Sequence, residues 1–375
     1  MKRIVLVEPN KDLEHANLKI EEVPLPQPLS GEVLIRVIAA PVNPSDYGEW
    51  KHVEGDGEFK SKPVGKEGSG IVVASGGGVY ANSCVGYKVG FVIEKPIQGS
   101  YSEYVTVDAL KGIFPLPDTV AVEDAASHFV NPYTVYGIVD TVRQTVNNNK
   151  GHLGFIHTGA ASQLGQMMVK YCKQENVTVI NIVRRDEQAE ILRNLGAQHI
   201  IVSNTPNWEE QLKTLIQELD IRVAFDCVSG EMTGKLLTLL PSKSTVFVYG
   251  SLSALPCSDI QPLDLIYRKK RIEGWLLPTW LLSGDPVAVL MRIRASTASV
   301  HSGLVKGGWA ETQFSDCTMD NMLERFRELV RGGFTGQKLR IRMDNNNNNN
   351  NHNLNNNSSN QESTEVVQES TEQKN

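Results

Sequence analysis

Between residues 152 and 250 the chain repeats one pattern, a short apolar run followed by an amphipathic segment. The runs are HLGFIHT, VTVINIV, HIIVS, VAFDCV and TVFVYG, and LGQMMVKYCKQ, QAEILRNLG, WEEQLKTLIQEL and GEMTGKLLTLL lie between them. A strand buried on both faces shows no polar alternation, and consecutive parallel strands need a helical crossover. The pattern therefore predicts an α/β protein with a parallel sheet covered by helices on both faces, a doubly wound nucleotide-binding architecture.

The first 130 residues read differently. Short branched runs such as IVLV, VLIRVIAA, IVVAS and YSEYVTV are broken by proline and glycine turns, as in an irregular β-barrel domain. Helical spacing begins at VEDAASHFVNPYTVYGIV, and the Asn147–Asn149 run reads as a surface turn. At 375 residues the chain is too long for one core. The expected division is a barrel domain at 1–128 completed by 286–343, a nucleotide-binding domain at 129–285, and a tail at 344–375. That tail is asparagine-rich and almost without apolar residues, a composition that predicts disorder.

A net charge of −6 argues against nucleic acid and anionic membranes and for a small-molecule partner. The five cysteines are scattered and form no C-x-x-C pair, as in a reducing compartment. With no signal or transit pattern and no run of 18 apolar residues, the expectation is a cytoplasmic protein.

The turn HTGAASQLGQMM opens the first crossover. Gly159 permits a tight bend and Gly165 close packing of helix on sheet, so the amides of Ala160, Ala161, Ser162, Gln163 and Leu164 are candidates to face a pyrophosphate. Alone, such a turn is as often an ordinary bend. The second strand, however, ends in NIVRRDEQ, about 25 residues past Gly159, where an NAD site usually carries an acid. The guanidinium forks of Arg184 and Arg185 suit a 2′-phosphate instead, which favours NADPH; Asp186 beside them offers a ribose partner.

APVNPSDYGEWK and KPVGKEGSGIVV resemble the N-terminal domain of the medium-chain dehydrogenase/reductase superfamily. GSYSEYVTV, NPYTVYG, FDCVSG and RIEGWLLPTW follow in the expected order, so the resemblance covers residues 1–343. It implies a GroES-like domain joined to a Rossmann domain, with NADPH between them. In the zinc branch the first segment carries a metal-binding Cys and the second a Gly-His-Glu; Asn43 and Lys66 stand at the Cys and His positions here. Neither is a good ligand, and no metal is expected. The V-N-P-S-D form resembles the zinc-independent quinone oxidoreductases and 2-enoyl thioester reductases, and implies a homodimer. The resemblance places Asn43 near the nicotinamide and Tyr249, Gly250, Trp275, Leu276, Leu277 and Lys338 about the cofactor. Tyr47 is the candidate to donate to a developing oxyanion. The enoyl thioester reductases carry a tyrosine where this chain has Glu54, which favours quinones or α,β-unsaturated carbonyls over enoyl thioesters. A weakly catalytic NADPH-binding protein acting through its asparagine-rich tail is the rival from another class.

Overall fold

The computed structural model describes residues 1–51, 59–93, 97–149, 152–332 and 336–343. Glu54 and the asparagine-rich tail lie outside these described residues. The N-terminal part holds β1 (Lys2–Glu8), β2 (Asn17–Glu22), β3 (Glu32–Pro41), β4 (Lys62–Pro63), β5 (Glu67–Ser75), β6 (Lys88–Val92), β7 (Tyr104–Asp108) and β8 (Ile113–Pro115). The short helices α1 (Pro44–Glu49) and α2 (Val79–Ser83) interrupt them, and α3 (Val130–Asn149) follows. The run read as a turn at Asn147–Asn149 is the last turn of α3, because the helix register begun at Val130 continues through it.

Next come β9 (Gly154–Thr158), α4 (Gln163–Gln174), β10 (Thr178–Val183), α5 (Asp186–Asn194), β11 (His199–Val202), α6 (Trp208–Glu218), β12 (Val223–Asp226), α7 (Glu231–Leu239) and β13 (Thr245–Val248). The sequence pattern is realised: β9 and β12 are buried at every residue. A sixth strand, β14 (Arg271–Gly274), extends this sheet after α8 (Pro262–Ile266). All six are parallel in the order β11-β10-β9-β12-β13-β14. The order reverses beside β9, and the crevice at such a switch point is where doubly wound sheets take ligands.

The last elements are α9 (Leu277–Leu281), α10 (Pro286–Gly303), β15 (Phe314–Thr318), α11 (Met322–Gly332) and β16 (Lys338–Arg342). The segment expected to complete the first domain divides. Val300 and the following Leu304 and Trp309 share a core with Tyr133, Tyr171 and Trp280 of the second half, so α10 belongs with the parallel sheet. Only from Phe314 does the chain return. β16 then pairs antiparallel with β3, Arg340 opposite Pro41, in a seven-stranded sheet ordered β15-β16-β3-β5-β6-β8, with β7 also paired to β3. This register sets Lys338 beside Asn43, 295 residues away in sequence.

Candidate active site in the cleft

A cleft of about 1860 Å³ runs between the carboxyl ends of the parallel strands and the wall made by α1, α11 and β16. Small-ligand pockets are commonly about 300–1000 Å³, so there is room for a dinucleotide and a second reactant. The wall on the parallel-sheet side begins where β9 ends. Gly159 has φ +62°, and a Cβ there would lie 2.6 Å from Cys227 Sγ. A Cβ at Gly165 would lie 2.1 Å from the Ala160 carbonyl oxygen, so only glycine lets α4 start this close to the loop. Ser162 caps α4, its Oγ accepting from Gly165 N at 3.1 Å. The N–H groups of Gln163 and Leu164 in the first turn have no earlier turn of helix to bond, and the helix dipole adds positive potential there.

Because Ser162 Oγ accepts in the cap, its O–H is still the donor that side chain offers. The Gln163 side chain faces away: its Nε2 donates to Gly336 O, and its Oε1 accepts from Gln313 N at 3.1 Å. What the backbone presents to the cleft here is the row of amides at the start of α4. Thr158 Oγ1 steadies the loop, donating to Asp226 Oδ1 at 2.9 Å and accepting from Cys227 N at 2.9 Å. Asp226 in turn accepts from Val228 N and Ser229 N, fixing the loop after β12 across the switch point.

At the end of β10 the two arginines separate. Arg184 is exposed and lines the cleft. Arg185 starts α5, half-buried, with Nε 4.0 Å from Glu187 Oε2 and outside the lining. Gly159, Ala160, Ala161, Ser162, Gln163, Leu164, Tyr249, Gly250, Trp275, Leu276, Leu277 and Lys338 all line the cleft, whereas Gly165 supports it from beneath. Tyr249 stacks on the buried His157, its hydroxyl 2.6 Å from Nε2. Burial lowers the pKa of His157 to about 3, so its imidazole is neutral.

The opposite wall is built on a buried polar network. Asn43, expected beside the nicotinamide, is fully buried and does not line the cleft. Its Nδ2 donates to Glu67 Oε1 at 2.9 Å and its Oδ1 accepts from Lys338 Nζ at 2.5 Å. Lys338 Nζ also donates to Ser127 Oγ at 3.1 Å. Glu67 Oε2 accepts from Phe129 N at 3.0 Å and Val130 N at 2.9 Å, sitting at the positive end of α3. Burial pushes the Glu67 carboxyl up and the Lys338 ammonium down to about 8, and the attraction of the pair opposes both shifts. Lys66 lies outside this network, paired with Glu49 at 2.5 Å. Among the described residues no group of three or more His, Cys, Asp or Glu side chains is placed to hold a metal. Tyr47 lines the cleft with its ring against Trp50 and Phe326, and burial raises its pKa far above that of a free phenol.

Asp46 anchors the motif from behind. Its Oδ2 accepts from Asn43 N at 2.8 Å and Tyr101 OH at 2.9 Å, and burial raises its pKa from 3.8 to about 7. The folded chain thus holds a proton that the unfolded chain releases. The stability this brings is complete below about pH 4 and is lost as pH rises to about 7. Asp46→Asn, which keeps an acceptor for both donors, is expected to flatten that part of the urea-midpoint profile; an unchanged slope would contradict the assignment.

Thr158, Ser203, Cys227 and Ser251 also line the cleft and were not singled out from sequence. All lie at or just beyond the carboxyl ends of parallel strands, and applying the switch-point rule to every strand end finds them.

A doubly wound sheet facing a smaller β-domain across a ligand cleft is the architecture of a two-domain dehydrogenase. The family model described as alcohol dehydrogenase GroES-like domain matches residues 29–118, and that described as zinc-binding dehydrogenase matches residues 164–290. The chain is 27% identical over 266 residues to the mitochondrial enoyl-[acyl-carrier-protein] reductase of Caenorhabditis elegans, covering 68% of this chain and 71% of that protein. Against the Homo sapiens enzyme of that name it is 27% identical over 292 residues, covering 74% and 72%. A Mesorhizobium loti structure designated an NADPH:quinone reductase superposes with TM-score 0.80 at 29% identity, covering 92% of this chain and 98% of that one. Escherichia coli quinone oxidoreductase complexed with NADPH gives TM-score 0.75 at 18% identity, covering 92% and 100%. The chain belongs to the medium-chain dehydrogenase/reductase superfamily, in its zinc-independent branch of quinone oxidoreductase- and enoyl reductase-like proteins. It is an enzyme of the oxidoreductase class.

Proposed function

We propose that the chain is a zinc-independent, NADPH-dependent reductase of quinones or α,β-unsaturated carbonyl compounds. The observation that carries this reading is the convergence of the loop from Gly159 to Leu164 and Arg184 on one wall of a cleft whose other wall presents Lys338 among the apolar side chains of Tyr47, Phe326, Leu329 and Leu339. When bound, NADPH supplies a hydride. The chain's own share is to hold the pyrophosphate on the α4 amides, to receive the 2′-phosphate at Arg184 and to bring the acceptor against the nicotinamide, excluding water with Tyr47, Phe129, Trp275, Leu281 and Phe326. NADPH oxidation across quinones, enones and enoyl thioesters tests this. Turnover of the first two classes is expected, and turnover confined to enoyl thioesters would favour the second reading, which the names of the curated relatives support. In this reading residues 1–128 with 314–343 form the substrate side and 129–311 the cofactor side, in the cytoplasm.

We also propose a homodimer through the free edge of β14. Among the described residues that strand pairs with β13 alone. Ile266, Tyr267, Leu276 and Leu282 near it are 63–77% exposed. An open sheet edge flanked by apolar side chains invites pairing. Light scattering is expected to give twice the chain mass, and Ile266→Glu a monomer; a monomeric wild type would refute the dimer. No helix among the described residues is long and apolar enough to cross a membrane.

A further inference from the structure

In the zinc-dependent relatives that APVNPSDYGEWK and KPVGKEGSGIVV resemble, the position of Asn43 carries a ligand to a catalytic cation. Here the side chain at that position is turned inward and accepts from an ammonium, Lys338 Nζ, delivered by the last strand of the fold. We propose that Lys338 is the catalytic electrophile of this enzyme, donating a hydrogen bond and then a proton to the carbonyl oxygen of the acceptor, with Asn43 and Ser127 as its positioning residues. This rests on the reductase reading above and deepens it by assigning the group that meets the substrate oxygen.

Four observations converge on Lys338. It lines the cleft, whereas Asn43, Glu67 and Ser127 behind it do not. Two of its three N–H bonds are held by Asn43 Oδ1 and Ser127 Oγ, which leaves one without an acceptor among the described residues. Its charge is balanced by Glu67, whose four-fold engagement with Asn43, Phe129, Val130 and the ammonium's field fixes it in place. The neighbouring lining is apolar, with Tyr47, Phe129 and Leu339, so a hydrogen bond made there is not diluted by water.

The step balances as follows. Hydride arrives at the electrophilic carbon, and the π pair of the conjugated system moves onto the carbonyl oxygen. The free Nζ–H bond breaks, an O–H bond forms, and a neutral amine remains, which takes a proton from solvent through the open cleft. An enone leaves as its enol, which becomes the ketone in solvent by gaining a proton at carbon and releasing the one on oxygen. A quinone leaves as the keto tautomer of the hydroquinone, which gains a proton on its second oxygen as the carbon that took the hydride releases one, so each acceptor gains one hydride and one proton in all. Tyr47, with its pKa raised by burial, is the poorer acid of the two cleft donors.

The proposal is tested on the full chain with Lys338→Met, and with Lys338→Met/Glu67→Gln to avoid an unpaired buried carboxylate. Kcat with a quinone or enone is expected to fall about 100-fold, the scale of losing one oxyanion donor. NADPH affinity by fluorescence is expected to stay near that of the wild type. A second readout needs neither turnover nor a variant: p-nitrophenol, an oxyanion mimic, is expected to titrate in the presence of wild-type protein with its pKa lowered by about 1 to 3, as an ammonium at contact distance requires. That shift should vanish in both variants. An unshifted p-nitrophenol in the wild type overturns the proposal, as does a variant that keeps kcat at saturating NADPH while NADPH binding weakens, which would make Lys338 a cofactor anchor. Failure of the wild type to bind NADPH at all would instead overturn the reductase reading.

Discussion

Arg184→Ala is expected to weaken NADPH binding by about 10- to 100-fold while leaving NADH binding nearly unchanged, which converts an NADP-selective enzyme into an indifferent one. A hydrogen bond to a charged group contributes about 1.5–3 kcal/mol, and each 1.4 kcal/mol is tenfold in Kd. The whole effect belongs to the 2′-phosphate, since NADH has nothing there for the guanidinium to meet. Arg185→Ala is expected to do much less, because Arg185 is half-buried at the start of α5 beside Glu187 and does not line the cleft. Fluorescence titration of both variants with both coenzymes checks this. Equal loss of NADPH and NADH on Arg184→Ala would show that the residue shapes the loop and does not read the phosphate.

Glu67→Ala is expected to produce the largest loss of stability. Glu67 is fully buried and its carboxylate is the partner of the Lys338 ammonium, the Asn43 amide and the first N–H groups of α3. Removing it leaves a charge and three donors without an acceptor in a place water does not reach. Breaking a buried pair from one side costs about 3–5 kcal/mol. For a chain of this size that lowers Tm by on the order of 5 to 10 °C. Glu67→Gln, which keeps an acceptor for two of those donors, is expected to lose less. Calorimetry on the two variants separates them, and a Glu67→Ala protein with wild-type Tm would show that the network is open to water.

The parallel sheet was legible in sequence because its inner strands are apolar on both faces. GFIHT and VAFD can be little else once amphipathic helices lie between them. The edge strands β14 and β15 were not, since RIEG and FSDCT are polar enough to pass for loops; an edge strand needs only one apolar face or none. The tight turn after β9 was legible through Gly159 and Gly165, whose spacing is local. The wall opposite was legible only in part. Asn43 and Lys338 were each visible as motif residues, but their contact depends on β16 returning antiparallel to β3 after some 300 residues, a pairing that no local period encodes. The same holds for the Gln163 side chain, which ties α4 to Gln313 and Gly336, a contact that no local spacing shows.

The most direct test of the account is the coenzyme itself. Titrating the wild-type chain with NADPH and with NADH, followed by nicotinamide fluorescence, is expected to show one site per chain with NADPH bound at least about tenfold more tightly, a difference of about 1.4 kcal/mol. Equal affinity for the two, or no binding of either, would contradict it.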